Sequence, residues 1–283
     1  MPSNKPNKST RSPKATSVLV FAGLDPTGSA GIQADIETLS HLQIHALPIV
    51  TCLTVQDTHN VSHVQTVDTL VVQQQIDTLL KDIQPSAIKL GLLSSIEMIN
   101  IVSDILKGCL QNHPNLAIIF DPILRAGGGA ELASNNTDIE QLISAMREKI
   151  IPHSTVITPN SLEARLLTGQ QTLADCADAL LELGCKHVLI SGEHENNPDE
   201  IINTLYSEGN PEQQVLCWKR LPHQYHGSGC TLASALAAYL AKNDSIQDAV
   251  KKAQTYTNTV LRHAVKLGQG QYHPNRIEEY SSE

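Results

Sequence analysis

Residues 226–231, HGSGCT, set a histidine, a hydroxyl and a thiol around two glycines, directly before a long apolar helical pattern. The first N–H groups of a helix have no carbonyl partner, and the helix dipole adds partial positive charge there. The amides of Gly227, Ser228, Gly229 and Cys230 can therefore hold an anion without a lysine, and the same field favours Cys230 as a thiolate. A phosphoryl group in transfer, with negative charge spread over its oxygens, is the chemistry that such a nest serves. The same residues also suit a plain helix start ahead of a core cysteine.

Other loops carry polar residues at comparable places. AGLDPTGSAGIQAD, residues 22–35, is a glycine-rich turn in which Asp25 and Asp35 bracket a helix start. Its glycines fit neither a dinucleotide GxGxxG nor a Walker loop, and Asp-Pro and Thr-Gly are ordinary turn formers. DPILRAGGGAEL, residues 121–132, puts Asp121 at a strand end before a glycine run. TPNSLEA, residues 158–164, spaces Asn160 and Glu163 so that both can face one ligand, or so that they form a capping box. Asp121, Asn160 and Glu163 together offer oxygen ligands for Mg²⁺ held through waters. CxxC and HExxH are absent, and His226 with Cys230 alone does not make a zinc site.

Apolar runs of strand length alternate with helical patterns almost throughout. Strands are expected at residues 17–24, 45–54, 87–93, 116–123, 155–159 and 187–192, with a late antiparallel pair at 203–207 and 215–221. Pro48 points to an edge or a bulge. Helices are expected at 30–42, 68–83, 95–111, 138–150, 161–167, 173–183, 230–242 and 245–266. Repeated strand–helix units predict an α/β fold, a mainly parallel sheet covered by helices on both faces. Ligands of such sheets collect at the carboxyl ends of strands, which is where Gly23, Asp25, Gln56, Asp121 and Asn160 fall.

The formal charge of −9 argues against general binding to nucleic acid or a membrane surface. Residues 1–16 differ: they carry Lys5, Lys8, Arg11 and Lys14 with no acid and no apolar stretch, and they read as a disordered tail. Residues 17–275 read as one domain and 276–283 as a second tail. No run reaches the roughly 18 apolar residues of a membrane span. Six scattered cysteines read as reduced thiols of a cytoplasmic protein.

GLDPTGSAGIQAD, LTVQDT, IKLGLL, DPILRAGGG, TPNSLEA and HGSGCT, in this order and at these intervals, resemble the hydroxymethylpyrimidine/phosphomethylpyrimidine kinases of thiamine synthesis, a branch of the ribokinase-like superfamily. The resemblance covers about residues 17–275. It implies a three-layer α/β/α sandwich, a homodimer, and transfer of the ATP γ-phosphoryl to 4-amino-5-hydroxymethyl-2-methylpyrimidine and then to its monophosphate. Cys230 matches the residue that meets the acceptor hydroxyl, and the 227–230 amides match the nest for the travelling phosphoryl. Gln56 matches the residue that bonds the aminopyrimidine, an amide being both donor and acceptor. Gly23, Asp25, Asp35, Leu92 and Ile123 complete the substrate set. Asn160, Glu163, Ser191 and Ser228 fall on nucleotide positions, and Asp121 and Glu163 on the magnesium site.

Two departures stand out. TGSAG replaces SGGAG, so Ser29 takes a glycine's place and the loop loses some freedom. LISGEHEN, residues 189–196, has Ser191 and Glu193 where the family commonly has Lys-Gly-Gly-His, whose lysine approaches the nucleotide phosphates. The competing readings are a pyridoxal or pyridoxine kinase of the same architecture and a non-catalytic pyrimidine-binding sensor.

Overall fold

The computed structural model describes residues 15–124 and 138–278, so the expected tail up to residue 14 and the glycine run after Asp121 lie outside the described residues. Strand β1 (Ser17–Leu24) is buried at every position but the last. An unbroken apolar run of this kind suits a strand covered on both faces. It is followed by β2 (His45–Gln56), β3 (Val61–Thr66), β4 (Ala87–Leu90), β5 (Ala117–Phe120), β6 (Val156–Ile157), β7 (His187–Ser191), β8 (Glu200–Ser207) and β9 (Asn210–Lys219). All nine join in one sheet of order β3-β2-β1-β4-β5-β6-β7-β8-β9. The stretch from β2 to β7 is parallel, and β3, β8 and β9 add antiparallel edges.

The helices are α1 (Gly31–His41), α2 (Thr69–Leu79), α3 (Ile96–Asn112), α4 (Ile139–Lys149), α5 (Ser161–Thr168), α6 (Leu173–Glu182), α7 (Ser228–Ala241) and α8 (Ile246–Arg262). Asp68, Ser95, Asp138, Asn160, Thr172 and Ser245 each accept a backbone N–H at a helix start. Each such cap stabilises by about 1 kcal/mol, which is why the helices begin where the polar residue precedes the apolar pattern. Alternation along β1 sorts its side chains between two cores. Leu19 and Phe21 pack with residues of α2, α3, α4, α5 and α6. Val18, Val20 and Ala22 pack with α1, α7 and α8 on the other face. The fold is thus the expected α/β/α sandwich.

Differences from the sequence expectations are local. β3 has no apolar run to mark it, because it pairs only with residues 52–56 of β2 and stays half exposed. Pro48 sits where β2 has β1 as its only neighbour, so its missing N–H leaves no ladder position empty. The C-terminal boundary is corrected: Arg276, expected in a tail, is 1% exposed. Its guanidinium donates to Thr231 Oγ1 at 2.9 Å, to Ser29 O at 2.5 Å and to Gly227 O at 3.4 Å, and pairs with Glu37 at 3.3 Å. Residue 276 is therefore part of the folded body, holding the loop after β1 to the start of α7.

Candidate active site

From β1 the chain winds towards β2 and β3, then crosses back to lay β4 on the other side of β1. Open α/β sheets bind ligands at the carboxyl ends of strands beside such a reversal. A cavity of about 630 Å³ opens there. Gly23 and Asp25 line it from the end of β1, Gln56 from β2 and Leu92 from the loop after β4. Asp121 and Ile123 follow β5, Asn160 and Glu163 follow β6, Ser191 ends β7, and residues 227–230 open α7. Residues from distant parts of the chain meet because every parallel strand delivers its following loop to one edge.

Asp35 is the exception and is corrected. It is fully buried behind the cavity wall, where its carboxylate takes two bonds from Lys89 Nζ at 2.9 and 3.0 Å and one from Ser234 Oγ at 2.6 Å. Its place on α1 turns it into the core layer, away from any ligand. Lys89, by contrast, does line the cavity. Burial works against its ammonium, but the Asp35 carboxylate, with Cys230 and Asp121 nearby, holds it above the ordinary lysine range.

The loop after β1 is organised by Asp25. Its carboxylate accepts from Thr27 N at 2.8 Å, Thr27 Oγ1 at 2.9 Å and Ala30 N at 2.9 Å, and His226 Nε2 lies 3.1 Å away. Burial alone would raise this carboxyl, but the bonds from His226 and Thr27 outweigh it and leave Asp25 well below the usual range. Ser29 does not need glycine's freedom, because only Gly28 and Gly31 in this loop have positive φ. Ser29 instead bonds His273 through its hydroxyl at 3.0 Å.

At the start of α7 the first helical bond is Thr231 N–H to Gly227 O, leaving the preceding amides without a helical acceptor. Gly227 has φ +87°, and a Cβ there would sit 1.8 Å from Ser29 O, so glycine is required. The thiolate expectation for Cys230 is corrected. Burial pushes its thiol up to about 12, with Lys89 opposing, so it is a neutral thiol at neutral pH. The charges of Lys89, Asp121 and Asp35 all act on it.

Residues 25–275 match the family model for phosphomethylpyrimidine kinase. The chain belongs to this family. A hydroxymethylpyrimidine/phosphomethylpyrimidine kinase of Bacillus subtilis is 34% identical over 257 residues, covering 89% of this chain and 91% of the relative. A thiamine biosynthesis bifunctional protein of Geobacter sulfurreducens is 33% identical over 92% of this chain, which spans only 52% of that longer protein. Among solved structures, the pyridoxal kinase of Staphylococcus aureus in complex with pyridoxal superposes with a TM-score of 0.81 at 26% identity, each chain covered to 93%. The fold of this chain is ribokinase-like.

In this phosphomethylpyrimidine kinase family member the acidic residues after β5 and β6 face one another. Burial pushes Asp121 up to about 6, with Lys89 opposing, and pushes Glu163 up to about 8, helped by the Asp121 charge. Asp121 Oδ2 is buried with no hydrogen-bond partner. Glu163 Oε2 accepts Asn160 N–H at 2.9 Å while Asn160 Oδ1 caps α5, so the capping-box alternative is realised. An orphaned carboxylate oxygen beside a second carboxyl fits a hydrated divalent cation. Among the described residues no three His, Cys, Asp or Glu side chains form a metal cage, so phosphate and water oxygens would have to complete the shell.

An acid that is harder to ionise folded than unfolded stabilises where both states are protonated. Stability of the metal-free protein should therefore fall as pH rises from about 4.5, the ordinary glutamate value, through about 8. Between pH 6 and 8 the expected loss is on the order of 2 kcal/mol. Glu163→Gln keeps the cap acceptor and should flatten that slope in thermal unfolding with a chelator present. Equal slopes for the two proteins would contradict the assignment.

Four residues that shape the site fall outside the sequence expectations. Lys89 carries a visible signal, a charge inside the apolar run AIKLGLL. His226 is visible in HGSGCT, but the spacing to Cys230 suggests only a metal ligand. Arg276 gives no signal. Arg220 also reaches the cavity edge, donating to the carbonyls of Glu193 and Asn197 at 3.0 and 2.9 Å and so holding the loop after Ser191.

Proposed function

We propose that this chain transfers the γ-phosphoryl group of ATP to the hydroxymethyl group of 4-amino-5-hydroxymethyl-2-methylpyrimidine, and then phosphorylates the monophosphate, supplying the pyrimidine half of thiamine. The observation that carries this reading is the meeting of Gln56, the loop after β1 and the α7 amides on one cavity. The heterocycle lies against Gly23, Leu92 and Ile123, with Gln56 pairing its amino edge. A side chain at Gly23 would strike Cys52 and Leu92, so glycine keeps that wall thin. The nucleotide takes the opposite end, its base among Leu232, Thr257, Asn258 and Leu261 and its phosphates towards Ser191, Asn160 and Ser228.

Asp121 and Glu163 would hold Mg²⁺ through waters, and the bound ion would supply positive charge to the ATP phosphates. The amides of Ser228, Gly229 and Cys230 stabilise the travelling phosphoryl oxygens. Cys230 orients the acceptor hydroxyl. As the new oxygen–phosphorus bond forms, the bond from the γ-phosphorus to the departing ADP breaks, while the hydroxyl proton passes to sulfur and the thiol proton passes on to Asp121. A loose transition state delays this transfer, so a weak base in the right place suffices. Cys230→Ala should lower kcat by about a hundredfold with the KM for ATP little changed. Wild-type turnover would remove Cys230 from the mechanism.

An assay that separates mono- and diphosphate products tests the whole reading, and failure to form either product would reject it. The structural likeness to a pyridoxal kinase favours a second reading, pyridoxal phosphorylation. Side-by-side turnover decides, and a clear preference for pyridoxal would overturn the aminopyrimidine assignment.

A homodimer belongs to the same proposal. Thr54 and Gln56 face the cavity, which turns Leu53 (45% exposed) and Val55 (58% exposed) outward from the other face of β2. Light scattering should give twice the chain mass, and Val55→Lys should shift it towards one. A wild-type monomer would contradict the proposal. Six free cysteines and a need for ATP fit the cytoplasm. No helix among the described residues is long and apolar enough to cross a membrane.

A further inference from the structure

We infer that Asp25 and His226 are positioning residues that orient the Gln56 amide, and that this orientation sets the preference of the ring site for an amino-substituted heterocycle. The inference rests on the aminopyrimidine reading and adds to it the residues that decide selectivity.

The geometry leaves one consistent assignment of protons. Asp25 is 4% exposed, and its ionised carboxylate can only accept. His226 Nε2, 3.1 Å from Asp25 Oδ2, must therefore carry a proton and donate it. The same nitrogen lies 3.5 Å from Gln56 Nε2 and, being a donor, cannot accept from it. A carbonyl oxygen in the place of that amine would face the negative charge of Asp25 behind His226, so the amine stays on that side and the Gln56 carbonyl oxygen is left for the cavity. Backbone contacts hold His226 and the chain just after Gln56 in place. His226 N–H donates to Tyr272 O at 3.0 Å, and Thr58, two residues after Gln56, accepts Gln271 N–H at 2.9 Å.

An amide fixed this way offers an acceptor beside a donor. A ring with an amino group next to a ring nitrogen offers the complementary pair. In pyridoxal the aldehyde stands beside the hydroxymethyl carbon where the pyrimidine has its amino group, and the aldehyde oxygen only accepts. It would meet the Gln56 carbonyl with like partial charge. A wrongly matched hydrogen-bonding group costs far more selectivity than a missing methylene.

A double-mutant cycle on the full chain tests the inference by calorimetric binding of 4-amino-5-hydroxymethyl-2-methylpyrimidine and, separately, of pyridoxal. His226→Asn should weaken aminopyrimidine binding about tenfold in the Gln56 background and less than about twofold in a Gln56→Ala background. Its effect on pyridoxal should be small or opposite. Asp25→Asn, whose own amide can turn Gln56 over, should show the same pattern and serves if His226→Asn does not fold. Equal losses in both backgrounds would overturn the inference, as would equal losses for both ligands. Tight wild-type binding without turnover would reject the kinase reading and still leave the cycle readable.

Discussion

Gly227→Ala is expected to abolish measurable phosphoryl transfer, lowering kcat by about a thousandfold or more, and to destabilise the fold by about 3 kcal/mol. Two independent costs act at this one position. The backbone has φ +87°, which L side chains avoid, and the added methyl would fall 1.8 Å from Ser29 O. Ser29 O already receives the Arg276 guanidinium, so it has little room to withdraw. Either the loop after β1 or the start of α7 must move, and each shift separates the acceptor site from the phosphoryl nest. Gly229 is the matched comparison, since a Cβ there comes no nearer than 3.9 Å to Asp121. Gly229→Ala should leave stability within about 0.5 kcal/mol. Urea unfolding and kcat at saturating substrates would read both variants, and a Gly227→Ala protein with wild-type turnover would refute the catalytic role of this loop.

The second large effect is expected at Lys89. Lys89→Met should destabilise the protein by about 3–5 kcal/mol, because Asp35 would keep a buried charge with Ser234 as its remaining partner. Both side chains of the pair have 0% exposure, so water cannot take the place of the missing ammonium. Removing both charges, as Lys89→Met with Asp35→Leu, should recover much of that loss, since apolar replacement of a whole buried pair is often neutral. Denaturant unfolding of the two single variants and the double variant would check this. Additive losses in the double variant would show that the two groups do not act as a pair. The double variant should still turn over poorly, because Lys89 also balances the negative groups around Cys230 and Asp121.

Gly227 and Lys89 both answer to remote partners, Ser29 O and Asp35, but they differ in how much of their role the local chain already shows. HGSGCT advertises its glycine loop and helix start directly, because capping, dipole and backbone freedom act within one turn of chain. The same holds for the strand–helix alternation, for Asn160 and Glu163 as a capping box, and for the delivery of Gly23, Gln56 and Asp121 to one edge. Each follows from period, turn chemistry and the rule that parallel strands share a direction.

Other features are settled over long distances in sequence. Asp25 and Asp35 are one residue type ten positions apart, yet one organises a ligand loop and the other neutralises a buried lysine 54 residues away. Cys230 sits at a helix start that favours thiolate, yet burial overrides the dipole and keeps it protonated. Arg276 reads as tail in the sequence and binds Ser29 and Gly227, 247 and 49 residues distant. The amino-acid order determined the layers, the elements and the loops that meet, since those depend on neighbours along the chain. Only the folded structure decided which polar groups lose water and which partners replace it, and those two quantities set charge state and proton position at the site.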